Sequence, residues 1–404
     1  MDRRSRLGVI EGLARIREAA PLLGEEAVPI AQAWSRVLAG PVRARFNVPR
    51  FACSAMDGYA LRSADTRRAT ADDPVALLLN PPLPAGGSAA ALAPRTVTPI
   101  STGAPVPPEA DAILVREKAD LDGSRLVVRA PVAASINVRA PGEDIAVGAE
   151  LGRAGNQLDA ERIGMMAAAG IARLAVRVRP RLAYFSTGDE LVEPGAESLS
   201  DSAIVDANRP MVAALAQEAG VPLLDLGHAR DSANAIAGLI ERAGDAADIL
   251  VSSGGVSAGA FDLVRSCIEA SGGEILFHGL EMRPGKPLLF ARLPSDALYF
   301  GLPGNPVAAL VGFRFFVLEA VRAMLGLPAE AGRQVARSGG QAKGPTRFLR
   351  VRVQQDADGS VRCDAALDQR SHILSSVAEA DGWLRVDDAS DVDTLYPKRP
   401  GRLT

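Results

Sequence analysis

The chain has 404 residues, 48% of them hydrophobic and 23% charged, enough for several domains with buried cores and too apolar for a disordered polymer. A net charge of −3 gives no general attraction to nucleic acid or to an anionic membrane, so small ligands and proteins are the expected partners. Three scattered cysteines (Cys53, Cys267, Cys363) and three histidines without zinc spacing exclude a disulfide framework and a structural zinc site.

The N-terminus carries no apolar signal core, and Arg314 and Arg322 break the apolar stretch Val307 to Leu325, so neither export nor a membrane span is expected. The expected location is the cytoplasm. Leu7, Val9, Ile10, Leu13 and Ile16 recur at helical spacing, and Glu26 to Leu38, with Ile30 and Trp34, predicts a second helix. In PRFACSAMDGYAL, proline, glycine and small residues put Asp57 on a loop before a strand at Tyr59 to Leu61. Short β-branched runs at Thr96 to Ile100, Ala112 to Val115 and Arg125 to Val128 predict a small β-rich module.

Thr102 and Gly103 follow one of these strands, where a hydroxyl and an N–H either cap a simple turn or reach a ligand. Glu143 and Asp144 follow Pro141 and Gly142 and read either as an exposed acidic turn or as ligand contacts. A helix over 158–170 is ended by Gly170.

From residue 179 strands and helices alternate: RLAYFS, DANRPMVAALAQEAG, VPLLDLG, SANAIAGLIERAG and ADILVSS. Strands then follow at Ile275 to His278, Pro287 to Ala291 and Leu298 to Phe300, with a long helix from Pro306. That order predicts a mainly parallel, doubly wound sheet covered on both faces. Ligands of such sheets lie beyond the carboxyl ends of the strands. There the sequence puts Asp189 and Glu190, then Asp231, then SSGGVSAG with Asp262, then GLPGNP with Asn305 and Pro306. Taken singly, Asp231 reads as a helix cap and Asp262 as a partner of a helix dipole. Together they mark one rim.

A glycine loop at a helix start suits a phosphate, yet carboxylates surround it. Two carboxylates ~4 Å apart repel by roughly 4 kcal/mol at an effective dielectric near 20, so the cluster keeps a proton or binds a cation. Oxygen donors without imidazole or thiolate point to Mg²⁺, which bridges carboxylates to phosphate oxygens. The ligand is then a nucleotide or another pyrophosphate. Arg283 and Lys286 flank Pro284 and Gly285 in a turn that either faces solvent or aims both cations at an anion. After Gly326 and Pro328, RFLRVRVQQDADGSVRCDAAL reads as two strands about a turn and opens a small C-terminal β domain.

SAMDGYA, ISTGAPVP, PGEDI, STGDEL, SSGGVSAG, RPGKP and GLPGNP stand in the order and spacing of the molybdopterin molybdenumtransferases, the molybdenum insertases that include the E domain of gephyrin. The chain resembles that family from end to end. The resemblance implies a helical, elongated domain (1–45 and 141–178), an inserted β-rich domain (46–140), an α/β domain (179–327) and a C-terminal β-barrel (328–404). It implies conversion of adenylylated molybdopterin and molybdate to molybdenum cofactor with release of AMP, dependent on a divalent metal such as Mg²⁺. It also implies a homodimer with a site shared between subunits, and contacts with the molybdopterin adenylyltransferase and with recipient molybdoenzymes.

Carried over by matching motifs, Asp57, Thr102, Asp144 and Glu190 become catalytic candidates, and Asp231 and Asp262 metal candidates, with Asp231 also binding nucleotide. Ser253, Gly254 and Gly255 are assigned to the phosphates. Ser257, Arg283 and Lys286 are assigned to molybdate or the pterin phosphate, and Pro303 and Pro306 to the neighbouring wall. Gly279 and Ala308 depart from the family pattern, each removing an oxyanion contact. Two rivals remain: an adenylyltransferase on the same fold, which would lack the SAMDGYA module, and a non-catalytic scaffold, against which the intact acidic set speaks.

Overall fold

The computed structural model describes residues 7–197, 200–256, 263–337, 344–365, 367–388 and 392–399. The chain divides into two compact units, one made of 1–40, 154–159 and 175–404, the other of 41–153 and 160–174. Among the described residues no helix is long and apolar enough to cross a membrane.

The first helix, α1 (Val9–Ala19), follows its predicted spacing, burying Val9, Gly12 and Ile16 and pairing Glu11 with Arg15 one turn later on the exposed side. The second expected helix, Glu26 to Leu38, is a correction. Glu25–Pro29 is a strand and Ile30–Gln32 a single 3₁₀ turn. Pro29 lacks an N–H, and Ser35 has φ +66°, which a helix does not admit. The backbone pairs instead with 156–158: Ser35 N donates to Leu158 O at 2.8 Å and Leu38 N to Asn156 O at 2.9 Å. Tertiary pairing overrides the local pattern.

The smaller unit holds a six-stranded sheet of β1 (Gly58–Leu61), β2 (Val75–Leu79), β3 (Thr96–Ile100), β4 (Ala112–Val115), β5 (Asp120–Asp122) and β6 (Arg125–Val128), in the order β4-β1-β3-β2-β6-β5. Leu61, Leu77, Val97 and Leu126 pack one small core, and Ala60, Ile100 and Ile113 another. Gly58 has to be glycine, since a Cβ there would stand 2.2 Å from the Leu114 carbonyl oxygen. Helix α2 (Ala160–Ala168) is stopped by Gly170 at φ +87°, as its sequence predicts.

The larger unit is built on β7 (Leu182–Thr187), α3 (Asn208–Ala219), β8 (Leu223–Ala229), α4 (Ala233–Ala243), β9 (Ile249–Ser253), α5 (Leu263–Ala270), β10 (Glu274–His278), β11 (Met282–Arg283), β12 (Leu289–Arg292), β13 (Leu298–Leu302), α6 (Pro306–Gly312) and α7 (Leu318–Met324). Its sheet runs β8-β7-β9-β13-β12-β10, parallel from β8 to β13 and antiparallel beyond. Helices cover both faces: Tyr184, Val251 and Phe300 pack on one side with Val212 and Phe316, while Phe185 and Leu250 pack on the other with Ile236 and Val264. The expected doubly wound α/β fold is present.

The C-terminal sheet comprises β11, β14 (Arg333–Ala336), β15 (Thr346–Gln355), β16 (Val361–Asp364), β17 (Gly382–Val386) and β18 (Val392–Pro397). Its pairing runs β11-β15-β17-β18-β14, with β16 on β15. This path is open among the described residues, so the expected barrel is not closed by any described pairing.

Candidate functional site

The parallel strands lie in the spatial order second, first, third, fourth. Loops leaving β7 and β9 therefore turn to opposite sides, and a crevice opens between their carboxyl ends. A cleft of about 590 Å³ lies there. Thr187, Gly188 and Glu190 line it after β7, Asp231 after β8, Ser253 to Val256 after β9, and Pro303 to Pro306 after β13. Ile204 to Asn208, Pro287 and His372 complete the wall. The described part of the rim expected from sequence, Asp189 apart, thus lines one cleft inside one unit.

Its floor is held by buried hydrogen bonds. Tyr184 and Ser253, both pointing to the α3 face of the sheet, join hydroxyl to hydroxyl at 2.6 Å. Burial pushes the Tyr184 phenol well above its ordinary value, so it stays protonated. Asn208 Nδ2 donates to Gly304 O at 2.8 Å and to Ser253 Oγ at 3.3 Å. Asp206 Oδ1 caps α3 by accepting from the N–H groups of Asn208 (3.0 Å) and Arg209 (3.1 Å). By its sequence DANRP reads only as a helix start. The Asp206–Asn208 spacing was the available signal, because it puts a cap and a polar side chain at one strand end.

The glycine loop needs its glycines for shape. Gly254 sits at φ +91°, where a Cβ would come within 2.2 Å of Thr187 O, and its N–H donates to Leu302 O at 3.0 Å. That N–H is committed to the fold and is not offered to a ligand, and Gly255 follows it at φ +66°. Ser257 and Asp262 lie outside the described residues.

Asp231 does not cap α4. That cap is Ser232, whose Oγ accepts from Ala235 N at 3.2 Å. Asp231 Oδ1 accepts from Thr187 Oγ1 at 2.7 Å, and Asp231 N donates to Asp189 Oδ1 at 3.1 Å. Both aspartates, with His228, line an open recess of about 740 Å³ beside the cleft, and Asp231 belongs to both spaces. No group of three or more His, Cys, Asp or Glu side chains among the described residues makes a complete metal cage. Two carboxylates next to a glycine loop nevertheless fit a hard divalent ion that fills its shell with water and phosphate oxygens. Glu190 is exposed, and its carboxylate folds back over Gly188, where a Cβ would meet it at 2.8 Å.

Pro306 takes the first helical position of α6 as expected, but Asn305 does not cap with its side chain. It donates instead to Ser371 Oγ at 3.1 Å, and Val307 N donates to Ser371 O at 3.2 Å, which holds the His372 loop at the cleft. Arg350, fully buried, fixes that loop from behind through the carbonyls of Asp368 and Arg370 and through Ser376 Oγ. Arg283 and Lys286 line a different cleft of about 330 Å³, shared with Glu281 and Asp388. Pro287, the next residue, lines the main cleft.

Asp57, Thr102 and Asp144 belong to the smaller unit. Asp57 Oδ1 accepts from Thr102 N at 2.8 Å and Thr102 Oγ1 at 3.0 Å, with Arg116 at 3.9 Å from the other oxygen. The Thr102 N–H, then its hydroxyl, then Arg116 hold the Asp57 carboxyl below the usual aspartate range. Asp144 is exposed on the turn after Gly142, with its N–H on Val48 O.

Comparisons with known proteins agree along most of the chain. Residues 7–170 match the family described as MoeA N-terminal region (domain I and II), 183–323 a probable molybdopterin binding domain, and 333–392 the MoeA C-terminal region (domain IV). Molybdopterin molybdenumtransferase from a Nostoc species is 37% identical over 305 residues, covering 75% of this chain and 70% of the relative. Molybdopterin molybdenumtransferase 2 of Mycobacterium tuberculosis is 37% identical over 310 residues, covering 74% and 75%. The crystal structure of a molybdopterin biosynthesis moeA protein from Pyrococcus horikoshii superposes with a TM-score of 0.80 at 27% identity, covering 97% of this chain and 100% of that one. The chain belongs to the molybdopterin molybdenumtransferase family, transferases of molybdenum cofactor biosynthesis.

Proposed function

We propose that the chain converts adenylylated molybdopterin and molybdate to molybdenum cofactor and AMP. The observation that carries this reading is the cleft at the switch point, where a glycine loop and two carboxylates, Glu190 and Asp231, meet within one wall. Acids beside a phosphate site make sense with a divalent ion between them. Mg²⁺ is our choice, held by Asp231 and Asp189, with Asp262 added on the strength of the family resemblance; when bound it offsets charge on the bridging phosphates.

The protein's own groups position and neutralise. Gly255 receives phosphate on its backbone N–H, Pro303 and Pro306 shape the wall, and Glu190 orients a water or the metal. Arg283, Lys286 and Ser257 are proposed for molybdate or the pterin phosphate. No covalent protein nucleophile is required. Asp57, Thr102 and Asp144 are proposed to serve the site from a second copy in a homodimer, as the resemblance implies. The four-domain division and a cytoplasmic location with adenylyltransferase and molybdoenzyme partners belong to the same proposal.

The test mixes purified protein with adenylylated molybdopterin, Mg²⁺ and molybdate and measures AMP. Release well above a Glu190→Ala control, abolished by a chelator, is the expected result. Release equal to that control removes the catalytic reading and favours a scaffold. Sedimentation as a monomer removes the shared site.

A further inference from the structure

Asn208 opens α3 with its side chain in the cleft wall, only 7% exposed. The Gly304 carbonyl can only accept, so it fixes which end of the amide faces it, and Nδ2 points there. The other end, Oδ1, is buried and meets no donor among the described residues. Burying such an acceptor without a partner is unfavourable, because it forgoes its hydrogen bond to water. The helix start does not need it, because Asp206 already serves the first N–H groups of α3.

Ser253 supplies the complement. Its Oγ receives the Asn208 amide and stands 2.6 Å from the Tyr184 hydroxyl. If Tyr184 donates, both acceptor sites of Ser253 Oγ are filled and the serine proton has the cleft to point into. The reverse assignment leaves the proton of a fully buried phenol without an acceptor among the described residues. A free donor and a free acceptor therefore lie side by side in the floor. A phosphate oxygen suits this pair poorly, since Oδ1 repels it and the Asp206 carboxylate lies two residues away. Val205, Val256, Pro303 and Pro306 add flat apolar wall.

We infer that Asn208 and Ser253 form a recess that reads the edge of a planar heterocycle carrying an exocyclic amino donor beside a ring-nitrogen acceptor, with Asn208 the specificity-determining residue. This rests on the cleft being the substrate site proposed above, and it moves Ser253 from the phosphates to the ring. Adenine and a pterin both present such an edge, and the experiment separates them.

The test measures equilibrium binding of AMP, 6-carboxypterin and ribose 5-phosphate to the full chain. One heterocycle binds more tightly than ribose 5-phosphate, which identifies the source of the ring. Asn208→Ala weakens that heterocycle by about tenfold, or about 1.4 kcal/mol, and leaves ribose 5-phosphate unchanged. Because the variant can fail to fold, a matched ligand pair is run on the unaltered protein. Purine riboside 5′-monophosphate lacks the amino donor of AMP, lumazine-6-carboxylate lacks that of 6-carboxypterin, and the preferred ring loses affinity on this exchange. Equal loss for heterocycle and sugar phosphate, unchanged heterocycle affinity in a folded Asn208→Ala, preference for neither ring, or no discrimination within the matched pair overturns the inference. AMP release is scored separately. Turnover without ring discrimination sinks the recess alone, and discrimination without turnover sinks the transferase reading alone.

Discussion

The cleft floor of the larger unit and the Asp57–Thr102 loop of the smaller one both gather polar residues from distant parts of the chain, but they hold them differently. Tyr184, Asn208 and Ser253 are at most 7% exposed, and each depends on the others for hydrogen bonds. Asp57 and Thr102 stand in solvent and are joined by one carboxylate on a backbone N–H and a hydroxyl. Burial is the difference. A buried donor or acceptor that loses its partner has no water to turn to, whereas an exposed one does. The floor is therefore built to be rigid, and the loop can be rearranged cheaply by a ligand.

Substitutions probe that contrast in descending order. Gly254→Ala places a methyl 2.2 Å from Thr187 O at a left-handed backbone position, so a loss of about 3 kcal/mol or more in urea unfolding is expected. A wild-type midpoint would contradict the tight loop described here. Asp231→Asn removes charge from the proposed metal site and is expected to slow AMP release by roughly a hundredfold, about 2.7 kcal/mol. Rescue by excess Mg²⁺ would sharpen the assignment, and an unchanged rate would break it.

Tyr184→Phe deletes the floor's phenol and is expected to cost about 1–2 kcal/mol in chemical denaturation. Gly103→Ala is the solvent-exposed counterpart of Gly254→Ala. Gly103 also has positive φ, at +80°, but nothing lies within 4 Å of its missing Cβ, so only the backbone cost of about 1 kcal/mol is expected. Equal losses at the two glycines would erase the contrast.

The smallest effect is electrostatic. Asp57 is held below its ordinary value, so its contact with Thr102 contributes above the unfolded aspartate pKa of about 3.9 and is lost as pH falls through the lower folded value. Thr102→Val keeps the backbone donor and removes the hydroxyl. Carboxyl NMR titration should then show the Asp57 pKa moving up toward normal, with a small loss of melting temperature that is present near neutral pH and disappears as the pH falls below the folded value. No upward movement would mean that the hydroxyl contributes nothing.

Much of this was legible beforehand, for physical reasons that differ by element. All six residues of β7 are buried and its first four, Leu182 to Phe185, form an unbroken apolar run, and strands of that kind alternating with helices define a parallel sheet. Once the sheet is known, residues after each strand fall on one rim, which is how Glu190, Asp231 and the proline loop were found. The helix expected at 26–38 failed because Pro29 and the pairing with 156–158 outweighed an apolar spacing. Arg283 and Lys286, assigned by resemblance to molybdate or the pterin phosphate, line a cleft other than the one at the glycine loop, a placement that spacing along the chain does not give.

Sequence alone determined the α/β architecture, the family and the loops that line the cleft, because apolar periodicity and motif order are properties of the chain taken one segment at a time. Only the tertiary structure decided that Ser253 faces Tyr184 and Asn208, that Ser232 rather than Asp231 caps α4, and that Gly254 spends its N–H on Leu302. Those choices turn on which donor meets which acceptor across tens of residues, and a buried polar atom selects its partner by three-dimensional position, which spacing along the chain does not encode.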